Sequence, residues 1–241
     1  MVNNPSQRRH HWTGVAAGLL CLAGLAPARA QTPAAPEATL VVGRGQATRL
    51  LINRVDPAYP PLAKVNYIEG QVNIEMLVSD QGRVAWAHVL QGNPILAAAA
   101  LRAVRRWLYR PLVTARGPVA FLTTVKLNFT LRGTKADQRP LNPERDLTRQ
   151  VNPPAVLSRV VDPGCTSFVH MRVLVNDEGQ VIDSQPLQGP PSQFEGARRA
   201  VEQWTFGAAR WGSMHLPWYL DVDVPVADPT VRSAAADPNG S

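Results

Sequence analysis

The chain is short of nearly everything that an enzyme or a disulfide-built fold needs. Two cysteines occur in 241 residues, and Cys21 lies in an apolar N-terminal stretch, so Cys165 has no partner for an internal disulfide. Of five histidines only His88, His170 and His215 lie beyond the N-terminal segment, no Gly-x-Ser-x-Gly elbow or His-Glu-x-x-His helix is written, and the carboxylates are scattered. These absences exclude an assembled catalytic centre. Cys165 and His170 are metal-ligating types with no second pair nearby, so neither a metal nor any other cofactor is expected. Aromatic residues make up 6% and do not interleave with the basic ones, which argues against nucleic acid as a partner. A charged fraction of 18% beside 45% hydrophobic residues fits a globular chain and excludes a disordered or coiled-coil one. No long proline-rich run exists to serve as a stiff spacer.

What is present is written twice. Shifted by 97 positions, Asp80-Gln81-Gly82-Arg83-Val84 falls on Asp177-Glu178-Gly179-Gln180-Val181, Gln91-Gly92 on Gln188-Gly189, Ala103-Val104 on Ala200-Val201 and Trp107 on Trp204, with no gap. The same shift carries Phe121–Val125 onto Trp218–Val222. An internal duplication of this kind predicts two small domains in series.

Ahead of them, Arg8, Arg9, His10 and His11 open a segment that is apolar from Trp12 to Leu25 and ends in Ala28-Arg29-Ala30. This reads as a signal peptide cleaved before Gln31; an uncleaved membrane anchor is the alternative, and the membrane is a partner only if the segment is retained. Residues 31–53 form a connector whose roughly twenty residues reach about 70 Å at full extension.

The first repeat opens with Asp56-Pro57-Ala58-Tyr59-Pro60-Pro61, and Pro61 suits the first position of a helix over Leu62–Tyr67 that Gly70 ends. Val72, Ile74, Met76 and Val78 alternate with polar neighbours, Asp80-Gln81-Gly82 turns the chain, and Val84–Leu90 returns antiparallel. Asn93 is placed to cap a helix with Pro94 at its first position, and Leu96, Ala100, Val104 and Trp107 form one apolar stripe. Gly117-Pro118 leads into Val119–Leu131, the longest alternating run in the chain.

This order, with Tyr59-Pro60-Pro61-Leu62-Ala63-Lys64, Glu69-Gly70, Asp80-Gln81-Gly82-Arg83-Val84, Asn93-Pro94 and Ala103-Val104-Arg105-Arg106-Trp107 as its motifs, resembles the C-terminal domain of the TonB energy-transducer family over Arg54 to about Arg132. The resemblance implies an α+β fold: here two tandem small domains, each a three-stranded antiparallel sheet packed by helices, the second degenerate. It also implies a non-enzymatic, Gram-negative envelope protein linked to transport, which engages a protein or peptide, such as an outer-membrane receptor or assembly component, by pairing an edge strand with it. The implied edge is Val119–Leu131, giving Val119, Phe121, Thr124, Lys126 and Asn128 as partner-binding residues, with Tyr59 of the front motif beside them. Unlike an energy transducer, the chain places Ser6 and His10 before the apolar stretch and lacks a long spacer. A cleaved periplasmic binding or scaffold module is therefore the expected function, and an anchored transducer the alternative.

Residues 133–151 read as a charged linker, 152–228 as the second domain and 229–241 as a disordered tail. In the second domain the front helix is interrupted by Pro163-Gly164, while the last strand carries Pro217, Pro225, Asp221 and Asp223, which discourage further pairing. Ten basic against four acidic residues make 54–132 about +6, and five against nine make 152–228 about −4. Arg102, Arg105 and Arg106 share a helix face in the basic half and are a second candidate partner surface; a solvated face is the alternative. Trp211, Trp218 and Tyr219 could form an exposed aromatic platform. The edge at Val119–Leu131 is open unless the strand near Leu50-Leu51-Ile52, the second domain or a second copy, as a homodimer, covers it.

Overall fold

A computed structural model describes residues 39–131, 147, 149–161 and 165–227 of the chain. The predicted signal peptide, the front of the connector, most of the charged linker and the tail lie outside these residues. The first half runs β1 (Leu40–Val41), α1 (Arg44–Leu50), β2 (Leu51–Asn53), α2 (Pro61–Val65), β3 (Gly70–Val78), β4 (Val84–Gln91), α3 (Pro94–Val104), β5 (Leu108–Tyr109), β6 (Leu112–Thr114), β7 (Gly117–Val119) and β8 (Phe121–Phe129). The second half continues with β9 (Ala155–Ser158), β10 (Cys165–Val175), β11 (Val181–Gln188), a 3-10 turn at Pro191–Gln193, α4 (Phe194–Val201), β12 (Thr205–Gly207), β13 (Ala209–Trp211), β14 (Met214–Leu216) and β15 (Trp218–Ala227). The fold is α+β, and both halves belong to one compact unit.

The residues of the 97-residue repeat build the same contacts twice. Gly82 and Gly179 take φ of 78° and 85°, and a Cβ there would lie 1.9 Å from the Tyr109 carbonyl oxygen and 2.2 Å from that of Phe206. Only glycine fits both that conformation and that approach. Ser79 Oγ and Asn176 Oδ1 brace the two turns by accepting backbone N–H bonds. The indole N–H groups of Trp107 and Trp204 pin the front segments by donating to Val55 O at 2.8 Å and Val160 O at 3.2 Å. Each half consequently has the strand order hairpin, then long strand: β4-β3-β8, extended by β1, and β11-β10-β15.

Several elements depart from the sequence reading. Helix α2 stops at Val65, and Tyr67 (φ 54°), not Gly70, makes the left-handed step after it. Leu51–Asn53 pairs with β5 and leaves the long strand alone, while Leu40–Val41 runs parallel to the start of β8. The long strand itself begins at Phe121, because Val119 is drawn into a small hairpin opposite Leu112. Asn93 does cap α3, accepting from Ile95 N at 3.0 Å.

The largest departure is α3, where a single apolar stripe was expected. All its residues from Ile95 to Val104 except Arg102 are buried. One side packs on β3 and β4, and β15 of the second half covers another. Leu174, Ala209 and Leu216 join the first half's core, with Ile182, Trp211, Trp218 and Tyr219 packed against it. The three aromatic residues therefore line the seam between halves and form no exposed platform. The counterpart α4 carries Glu195, Arg198 and Arg199 where α3 has Ala98, Leu101 and Arg102, so apolar burial on both sides is confined to α3.

Candidate functional site

A sheet exposes two edges, and in the first half they are treated differently. Beside β4, Val89 N–H donates to Asp183 Oδ2 at 2.8 Å, and the Gln185 side-chain amide donates to Val89 O. Two side chains of β11 thus satisfy a backbone donor and acceptor as a neighbouring strand would. Asp183 is held by Ser184 N–H (2.9 Å) and by His88 Nδ1 (2.7 Å), and Arg198 Nη1 lies 2.9 Å from His88 Nε2. Arginine can only donate, so Nε2 accepts and Nδ1–H is the donor to the carboxylate. At Val89 the β4 edge is closed from the second half.

Beside β8 the closure is brief. Val42 N–H donates to Leu122 O at 2.7 Å, so the backbone groups of Leu122 face away from β3. Strand alternation turns those of Thr124, Lys126 and Asn128 the same way. Among the described residues, the strand pairing on that side is Leu40 with Phe121 and Val41 with Leu122, after which the chain turns into α1, which packs against β8 without pairing with it. Lys126 and Asn128 are exposed and Thr124 is half-buried. Long unpaired edges are hazards that proteins blunt, and Lys126 supplies a charge there.

Beneath this edge, on the helix side, lies a hollow of 130 Å³ walled by Ala47, Leu51, Trp107, Tyr109 and Thr123, with Arg44 and Arg54 also lining it. A second hollow of 190 Å³ continues past Asn128 to Tyr59 and Asp56, and the two share Arg54 and Leu127. Arg54 pairs with Asp56 at 2.8 Å and sits 5.7 Å from the Trp107 ring centroid. Burial pushes the Tyr109 phenol up to about 12 although Arg54 acts the other way. A larger hollow, 580 Å³, lies at the seam by Gln91, Arg172 and Trp218. Its polar walls are engaged internally: Arg172 forks onto Asp221 at 2.8 and 2.9 Å, which holds the Asp221 carboxyl below its usual value, and Gln185 is spent on Val89.

The residues singled out from the sequence are thus distributed. Thr124, Lys126 and Asn128 stand together on the outward edge. Val119 does not belong to that strand, and Phe121 is fully buried against Tyr109, so it supports the edge from inside. Tyr59 packs edge-on to Phe129 and donates to Ile68 O at 2.6 Å, fixing the end of β8. Arg105 leaves the arginine face, donating to Ile182 O at 2.7 Å across the seam, while Arg102 and Arg106 remain exposed. Sequence reasoning missed Arg44, Arg54 and Thr123, whose proximity depends on where α1 and β5 pack.

The model for the Gram-negative bacterial TonB protein C-terminal matches residues 55–131. Protein TonB of Vibrio cholerae serotype O1 is 31% identical over 86 residues, covering 35% of this chain and 35% of that protein. The chain thus spans about a third of the length of the curated relative it matches. The solution NMR structure of the Pseudomonas aeruginosa TonB CTD is similar over 35% of this chain and 88% of that one, at 24% identity and a TM-score of 0.31. The match to the TonB C-terminal model falls on the stretch that folds into the β4-β3-β8 sheet, residues 55–131.

Proposed function

We propose that this protein is a non-enzymatic binding and scaffold module of the periplasm, which captures an envelope protein or peptide by adding the partner's strand to β8. The second half, read as a degenerate copy of the same domain, serves as its support by closing the β4 edge. The observation that carries the reading is the contrast between the two edges: Val89 is satisfied on its outer side, whereas the outward groups of Thr124, Lys126 and Asn128 lie beyond the reach of β1.

Magnitudes constrain the mode of capture. Three outward residues offer up to about six backbone bonds, each contributing about 1 kcal/mol net. Association costs about 4–15 kcal/mol, so backbone pairing gives register and the side-chain hollows must supply much of the affinity. An anchored energy transducer is the second reading, favoured by the similarity to Protein TonB of Vibrio cholerae. No helix of the described residues is long and apolar enough to cross a membrane, so this reading depends on the N-terminal segment.

Thr124→Pro tests strand capture by removing an outward donor, with Thr124→Ala as the control that keeps it. Capture of the partner from envelope extract should be lost in the proline variant and nearly normal in the alanine variant, with both folded by circular dichroism. Undiminished capture by a folded proline variant would move the binding surface to Arg102 and Arg106.

A further inference from the structure

We infer that the hollow at the seam between the halves is a binding site for a neutral saccharide. It stands apart from strand capture at β8 and does not depend on it. Gln71 and Gln91 of the first half form one wall, and Arg172, Gln185, Trp218 and Tyr219 of the second half form the other, so neither half makes the site alone. Its 580 Å³ falls within the roughly 300–1,000 Å³ of small-ligand sites, which occur preferentially where domains meet.

Its chemistry narrows the ligand by class. Arg172 is the one charged residue among the described lining residues, and its fork onto Asp221 neutralises it, so an ionic ligand finds no counter-charge. An apolar ligand would strand the polar groups of the wall. Gln71 donates through its amide nitrogen to Asn128 Oδ1 at 2.9 Å, which leaves its own oxygen as an acceptor. Gln91 accepts from Asn73 at 3.3 Å through its oxygen, which leaves its amide N–H groups as donors. The indoles of Trp107, Trp204 and Trp211 donate within the protein, whereas that of Trp218 makes no such bond among the described residues. A sugar hydroxyl donates and accepts through the same atom, and so matches a wall that offers both. Trp218 adds the apolar surface. The 97-residue shift places it on Phe121, which is fully buried, yet Trp218 is half-buried and lines the hollow. A pyranose carries C–H groups on its faces and hydroxyls at its rim, which suits an indole with an apolar body and a polar tip.

The test titrates maltotriose and cellotriose into the isotope-labelled full chain, with a tetrapeptide of serine and asparagine as an equally polar control, and follows side-chain N–H signals by NMR. The indole signal of Trp218, identified by its absence from Trp218→Phe, and the amide signal of Gln91 should move and saturate with at least one trisaccharide and stay still with the peptide. Trp218→Ala should weaken binding about tenfold or more, and Gln91→Ala about fivefold, the factor expected of one hydrogen bond, with both variants folded by circular dichroism. The signals of the parent protein are decisive even where a variant fails to fold. Still signals at Trp218 and Gln91 with both trisaccharides, or an equal response to the peptide, overturn the site and leave strand capture to its own test.

Discussion

Val42 N–H meets the Leu122 carbonyl at 2.7 Å, and that bond is the last that β1 makes along the outer side of β8. It settles the facing of the strand beyond it. Were the register one residue different, the exposed backbone groups would be those of Thr123, Val125 and Leu127, whose side chains lie on the same face as the core residues Phe121 and Phe129.

Asp183 should be the residue whose loss most affects the seam. It accepts from Val89 N–H, Ser184 N–H and His88 while itself buried. Asp183→Ala strands all three donors and should cost about 3 kcal/mol in urea unfolding, whereas Asp183→Asn keeps acceptor oxygen and should cost less. The alanine variant should also associate through the unprotected β4 edge, visible as a concentration-dependent mass in light scattering. A monomeric Asp183→Ala protein of parental stability would mean that the seam's apolar contacts alone hold the halves.

Thr123→Val should stabilise the unliganded protein by about 1 kcal/mol, because it replaces a buried, unpaired hydroxyl with a methyl of the same shape. Most core substitutions destabilise, so a gain here would mark the Thr123 hydroxyl as unpaired in the folded chain. Thermal unfolding of the parent and variant, without peptide, measures it; a loss of stability would show that the hydroxyl has a partner in solution.

Alkali should weaken the seam through Tyr219. Burial raises its phenol well above the ordinary value, with nearby Asp183 adding to the shift and Arg172 opposing it, and Tyr109 is raised to about 12 by burial. A raised folded pKa means that the neutral form is the stable one: stability is complete below the unfolded value of about 10 and is lost as pH climbs past it. Tyr219→Phe removes the titrating group but keeps the ring, so its stability should fall less between about pH 9 and pH 11. Identical alkaline profiles for parent and variant would contradict this assignment.

Much of this was legible in the residues. The repeated Asp-x-Gly turns, the alternation in β3 and β10, and the Asn93-Pro94 helix start are local signals, decided within a few residues by backbone conformation and pleat. The same alternation set Thr124, Lys126 and Asn128 on the polar face of the strand; the facing of their backbone groups came only from the pairing of β1 with β8. What could not be read was set by distant packing. Nothing local tells Leu40–Val41 to pair with β8 while Leu51–Asn53 pairs with β5, since two- and three-residue strands take their partners from the surface they meet. The all-round burial of α3 was hinted only by its run of alanines, which lets β15 approach a second side. The net charges of the two halves, about +6 and −4, foretold neither the apolar residues that meet across the seam nor the bond from Arg105 to a carbonyl on the other side.

Amide hydrogen exchange, read residue by residue by NMR, tests most directly whether β8 is an accepting edge. In the free protein the N–H groups of Thr124, Lys126 and Asn128 should exchange faster than those of Thr123, Val125 and Leu127, which face β3; on binding a partner strand the outward three should become protected. Slow exchange at all six positions before any peptide is added, or binding that leaves the outward three as fast as before, would contradict capture of a strand along this edge.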